Sequence, residues 1–103
     1  MTGLKQYFIQ IANYPLLTQE EEQILGRRAK AGDKHARDKL IQSNLKLVVS
    51  IAKNYKSTKL PFEDIVADGN LGLVAAVDKY DPDLGYRFST CAVPWIKQAI
   101  LKG

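Results

Sequence analysis

The side chains best suited to act on a ligand are gathered in one stretch, Gly85-Tyr86-Arg87-Phe88-Ser89-Thr90-Cys91-Ala92-Val93-Pro94-Trp95-Ile96-Lys97-Gln98. The aromatics Tyr86, Phe88 and Trp95 stand there beside the cations Arg87 and Lys97, with Ser89, Thr90 and Gln98 as hydrogen-bonding neighbours. Rings stack on unpaired bases, cations neutralise phosphates, and amides and hydroxyls read base edges. Together they suit a surface that grips one strand of nucleic acid. At helical spacing Cys91, Trp95, Gln98 and Lys102 share one face, while Ala92, Ile96 and Ala99 suit a core. A plain packing role for Tyr86, Phe88 and Trp95 fits the same pattern, so both readings stand at this point.

A second candidate is acidic. Asp64 and Asp68 lie one turn apart with Ala67 and Leu71 beside them, and no basic residue follows at the spacing that would relieve their repulsion. They read as a solvated face or as a docking patch for a basic partner. Gly69 and Gly72 lie in the same segment and each costs a helix about 1 kcal/mol against alanine. Such glycines point to close approach by another backbone, within the fold or from a partner. General acid-base chemistry at the pair is disfavoured, because no nucleophile, ligand set or phosphate loop accompanies it. Cys91 reads as a poor catalytic thiol and His35 as a surface histidine. One cysteine excludes an internal disulfide, and one histidine argues against a metal centre. No enzyme activity, cofactor or metal is therefore expected. The charge of +4 and pI near 9.2 permit a nucleic-acid partner without requiring one. No signal peptide and no long apolar run is present, which points to a cytoplasmic protein without a membrane partner.

The elements that must position these residues read as helices throughout. Leu4, Phe8 and Ile11 form one amphipathic stripe, ended at Asn13-Tyr14-Pro15. Thr18 and Glu21 spell a capping box; Glu20, Glu21 and Glu22 then occupy the positive end of a helix whose last turn carries Arg27, Arg28 and Lys30. Gly32 stops that helix and Asp33 caps the next, which turns Ala36, Leu40 and Ile41 inward. Asn44 to Tyr55 is the most apolar segment and reads as the central helix, with Leu45, Val48, Ala52 and Tyr55 on one stripe. Lys56-Ser57-Thr58-Lys59 reads as a polar loop and Pro61 as the start of a helix running to Tyr80. Asp81-Pro82-Asp83-Leu84-Gly85 is a turn, and a last helix starts at Ser89 or Thr90. The expected fold is all-α, a compact bundle of about six helices.

Several segments in order resemble the sigma-70 family of bacterial RNA polymerase sigma factors. Leu16-Leu17-Thr18-Gln19-Glu20-Glu21-Glu22 resembles region 1.2 of that family, and Asn44-Leu45-Lys46-Leu47-Val48-Val49-Ser50-Ile51-Ala52 resembles region 2.1. Asp64-Ile65-Val66-Ala67-Asp68-Gly69-Asn70-Leu71-Gly72-Leu73 resembles region 2.2. Tyr86-Arg87-Phe88-Ser89-Thr90 and Trp95-Ile96-Lys97-Gln98-Ala99-Ile100 resemble regions 2.3 and 2.4. The resemblance divides the chain into residues 1–43, region 1.2-like, and 44–103, region 2-like, without a minus-thirty-five-binding domain. It implies core RNA polymerase as a partner, with Asp64, Asp68, Asn70 and Val74 on the clamp-helix coiled coil of the largest subunit. It further implies that Tyr86, Phe88, Thr90, Trp95 and Gln98 recognise and help melt the promoter minus-ten element as a single non-template strand. Arg87 and Lys97 would lie near its phosphates, and Asn44 would help form a pocket for a second flipped base. An anti-sigma factor is a further partner such a protein can have.

Departures from the family pattern bear on this reading. Cys91 stands where housekeeping members carry a tyrosine that stacks on a flipped adenine, Pro94 replaces one of two adjacent tryptophans, and Leu84 replaces an arginine. Ala92-Val93-Pro94 is more similar to sporulation or stress members. Ala67 replaces a glutamine and Val74 a methionine on the acidic helix. The alternative reading is a polymerase- or protein-binding helical module that has lost base-specific DNA reading.

Overall fold

The computed structural model describes residues 2–55 and 60–103. The polar loop expected at Lys56 to Lys59 lies outside the described residues. Six α-helices follow one another among the described residues: α1 (Thr2–Ala12), α2 (Gln19–Lys30), α3 (Lys34–Ser43), α4 (Leu45–Ala52), α5 (Phe62–Lys79) and α6 (Phe88–Lys102). The all-α bundle expected from periodicity is the fold found.

The helix boundaries follow local chemistry. The Thr18 hydroxyl accepts from the Glu21 N–H at 3.1 Å, and the Glu21 carboxylate accepts from the Thr18 N–H at 2.8 Å, a complete capping box. Asp33 caps α3 by accepting from the Ala36 N–H at 3.2 Å. A single residue, Asn44, separates α3 from α4; its amide donates to the Leu40 carbonyl at 2.8 Å, which satisfies an end group of α3. The apolar segment from Asn44 is shorter as α-helix than its pattern predicts. It tightens into a 3-10 turn at Lys53–Tyr55, which leaves Tyr55 half-buried against the core. The Asp81 turn is a short 3-10 turn over Pro82–Leu84, closed by Gly85 at φ +85°, a conformation that favours a residue without Cβ.

The long antiparallel pair α5–α6 makes the most extensive helix contact, with α4 across it. Leu40, Val48, Ile65, Leu73, Phe88 and Ile96 are fully buried between these layers. Gly72 makes the pairing close: a Cβ there would lie 2.5 Å from the Trp95 carbonyl oxygen and 2.8 Å from the Ile96 Cα. That is the backbone approach expected of the glycine pair. At Gly69 the neighbours are side chains instead, with the Val48 Cγ1 at 2.7 Å.

Candidate functional site

The start of α6 is built by α2. Glu22 is 4% exposed, a carboxylate taken almost wholly out of water. It accepts from the Arg87 Nε at 2.9 Å, from the Arg87 Nη2 at 3.3 Å and from the Phe88 backbone N–H at 3.2 Å. The last bond matters because Arg87, at the N-cap position, supplies no side-chain cap of its own. A residue from another helix therefore caps α6. Arg87 also donates to the Leu17 carbonyl at 3.1 Å, and the Glu22 carboxylate holds the guanidinium pKa above its ordinary value. Further along, the Gln19 amide donates to the Gly85 carbonyl at 2.7 Å, and Arg27 and Lys30 pair with Asp83 and Asp81 at 3.1 and 3.6 Å. The first and last turns of α2 thus hold the loop that leads into α6.

This arrangement separates the expected ligand-binding residues. Tyr86 and Trp95 are each 38% exposed, enough to offer a ring face. Phe88 is not available: it is 0% exposed and meets Tyr80 edge-on, with ring centroids 5.1 Å apart. Its assignment to a DNA surface is corrected to a core role. Arg87 is half exposed, but its guanidinium is shared between Glu22 and Leu17 and is not a free phosphate contact. Thr90, Lys97 and Gln98 are exposed along α6. Cys91 is half-buried toward α5, its thiol directed at the Ala76 carbonyl at 3.9 Å; burial pushes its pKa up, so it stays protonated and non-nucleophilic at neutral pH. The Lys79 ammonium lies 6.0 Å from the centroid of the Trp95 ring, in cation–π range.

Beside the Glu22–Arg87 pair opens a cavity of about 600 Å³. Asn44 forms part of its wall with Leu47 from α4, Ser89 from α6, and Leu16 and Leu17 from the segment before α2. Lys46 stands there too. The volume falls within the range of ordinary small-ligand sites, and the lining mixes apolar walls with hydrogen-bonding groups. Asn44 was legible as a candidate and Ser89 as a hydrogen-bonding neighbour of the aromatic stretch; Glu22, Lys46 and Leu16 were not. The signal for Glu22 was its spacing of i, i+3 to Leu25, which places it on the inward face of α2 while Glu20 and Glu21 face out.

The outward face of α5 carries the second candidate surface. Asp64, Ala67 and Leu71 are exposed, Leu71 at 70%. Neither Asp64 nor Asp68 pairs with a cation among the described residues. Asp68 is half-buried, its carboxylate lying beside Gly103 at the end of α6. Asn70 and Val74 are half-buried on the other flank; Asp64 and Asn70 are roughly 120° apart around the axis, bordering one face rather than sharing one stripe. The Asn70 amide nitrogen donates to the Tyr7 hydroxyl of α1 at 3.2 Å, and its buried Oδ1 has no hydrogen-bond partner among the described residues. Among those residues no group of three His, Cys, Asp or Glu could hold a metal ion, and no helix is long and apolar enough to cross a membrane.

Comparison with known proteins identifies the type of chain that carries these surfaces. Residues 40–103 match the model of sigma-70 region 2, and residues 3–35 match that of sigma-70 factor region 1.2. The chain belongs to the sigma-70 family of sigma factors. Among its relatives it is 48% identical, over 94 residues, to RNA polymerase sigma factor RpoS of Coxiella burnetii, covering 91% of this chain and 27% of that protein. It is 48% identical to RNA polymerase sigma factor SigA of Clostridium acetobutylicum, over 96% of this chain and 26% of that protein. It is 44% identical to RNA polymerase sigma factor RpoH of Rhizobium radiobacter, over 95% and 33% respectively. The chain thus spans between a quarter and a third of the length of these relatives.

Proposed function

We propose that this chain is the part of a sigma factor that docks on core RNA polymerase and holds the opened minus-ten element of a promoter as a single strand. On this reading residues 1–43 brace the domain and residues 44–103 carry both binding surfaces. The observation that carries the DNA half is the cavity of about 600 Å³ with Asn44, Ser89 and Leu47 in its wall; Tyr86 and Trp95, which are not part of that wall, add half-exposed rings on the same stretch of chain. A nucleobase taken out of its stack needs such a recess, with an apolar wall for its faces and amide or hydroxyl groups for its edges. Unstacking costs a few kcal/mol, and each base restacked on a ring returns about 1–3 kcal/mol. The polymerase half rests on unpaired Asp64 and the exposed Ala67–Leu71 face of α5, a docking ridge for a basic helical partner such as the clamp coiled coil. No nucleotide hydrolysis is needed; binding energy does the work, in the cytoplasm and on the nucleoid.

The buried Phe88 and half-buried Cys91 favour keeping a second reading, a polymerase-binding module without base-specific reading. One experiment separates the two: fluorescence anisotropy of a labelled minus-ten non-template oligonucleotide with the chain, with and without core polymerase. Sequence-selective binding that weakens at least fivefold in Asn44→Ala supports promoter reading. Tight association with polymerase and no selective oligonucleotide binding supports the second.

A further inference from the structure

Between α1 and α4 lies a groove of about 360 Å³, lined by Phe8 and Ile11 from α1 and by Lys46, Val49, Ser50 and Lys53 from α4 and the turn that ends it. Ile11 and Val49 are buried and form an aliphatic floor. Phe8 is packed on Tyr7 and Phe62, with ring centroids 6.2 Å away in each case. The mouth is cationic: Lys53 is exposed and Lys46 half-buried. The backbone is still helical at Lys53, so the two lysines stand on one side of α4, two turns or about 10.5 Å apart. Lys46 reaches the Ala12 carbonyl at 3.5 Å, and neither ammonium pairs with a carboxylate among the described residues. Both walls come from acid-free sequence. No Asp or Glu occurs from Met1 to Gln19, nor from Lys39 to Phe62, a stretch that carries Lys39, Lys46, Lys53, Lys56 and Lys59. An apolar slot between two unneutralised cations calls for an occupant with carboxylates on either side of an apolar anchor.

We propose that this groove docks an acidic helical segment of a partner protein, which seats an apolar side chain on Ile11 and Val49 and sets carboxylates against Lys46 and Lys53. A helix with acids at i and i+7 and apolar residues at i+3 and i+4 has the spacing of the two lysines. Apolar burial supplies the affinity, while the charge pairs fix the register and reject other partners. A nucleic-acid strand is a poorer complement. Its phosphates match the lysines, but its apolar surfaces are flat base faces that bind by stacking on rings. The floor offers branched side chains, and the one ring in the wall is already packed on two others. This surface is separate from the α5 ridge, and its occupation needs neither polymerase nor promoter DNA.

The test uses the chain alone and a dye-labelled helical peptide of about four turns, with glutamates at i and i+7 and leucines at i+3 and i+4, read by fluorescence anisotropy. Wild type should bind it, and a peptide with both leucines changed to serine should bind more than about tenfold more weakly. Lys53 is the position to vary, because it is exposed and, unlike Lys46, lies outside the cavity beside Glu22. Lys53→Glu should weaken the original peptide about fivefold. One of the two peptides with a single glutamate changed to lysine should restore binding to that variant, which general attraction to a basic surface does not do. No binding by wild type overturns the proposal. So does equal binding of the serine peptide, or failure of both swapped peptides to bind Lys53→Glu better than the original does. A labelled single-stranded oligonucleotide is the counter-probe: if Lys53→Glu weakens its binding and leaves the peptide's unchanged, the groove belongs to a nucleic-acid strand and the proposal fails.

Discussion

Phe88 and Trp95 are both aromatic, both in α6, and their environments are opposite. The difference was present in the sequence. Phe88 extends the Ala92, Ile96, Ile100 stripe by one turn, and all four are buried. An α6 begun one or two residues late hides that continuity, and Phe88 then reads as a loop ring free to stack. Cys91 is one residue round from the stripe, and its small side chain leaves space where a ring would stack. Cys91→Tyr should therefore strengthen capture of the opened strand about fivefold or more, at about 1–3 kcal/mol per stacked base. Permanganate reactivity of minus-ten thymines in complexes with core polymerase checks it, and no gain would count against the stacking role of that position. Glu22 makes a second residue-scale test. Glu22→Ala leaves the buried Phe88 N–H without its acceptor, which should cost about 2 kcal/mol in urea unfolding. The half-exposed Arg87 can return to water, so little of that loss comes from its charge.

At the scale of elements, most of the helix ends were legible because each is fixed by neighbours three or four residues away. Thr18 with Glu21, Asp33 with Ala36, and the Asp81 to Gly85 turn are of this kind. The contacts that make the site were not legible for the opposite reason. Glu22 and Arg87 are separated by 65 residues, Gln19 and Gly85 by 66, and Asn70 and Tyr7 by 63. Nothing in local spacing pairs them. Gly72→Ala tests the α5–α6 contact directly: the added methyl meets backbone rather than a movable side chain, so the helices must part. Overpacking of about 1–3 kcal/mol against a propensity gain of about 1 kcal/mol predicts net destabilisation, read as a lower urea midpoint. The α3 cap predicts a pH effect. Hydrogen bonds from the Ala36 N–H and from Arg28 hold the Asp33 carboxyl below its ordinary value. A depressed pKa contributes stability that is complete above the unfolded value and is lost as pH falls through the folded one. The acid side of a thermal-stability profile, below about pH 4, should therefore flatten in Asp33→Asn, which keeps the cap and removes the titration.

For the whole molecule, a charge of +4 spread over 103 residues is a modest endowment for a DNA-binding surface. Part of it is already spent within the fold, since Arg27, Arg28, Lys30, Arg37 and Arg87 all sit in ion pairs. Strand binding by the isolated chain should be weak and should gain strongly from core polymerase. With about three phosphate contacts, each contributing a salt slope near 0.7, affinity should fall about twentyfold between 50 and 200 mM salt. Anisotropy titrations across that range check it.

Trp95 is the sole tryptophan of the chain, and an ammonium stands over its ring. The domain consequently contains its own optical gauge. Indole emission reports on one residue at one surface, without a dye and without interference from a second tryptophan. Any planar occupant of that ring must share it with Lys79 or displace the amine, and either event alters the emission.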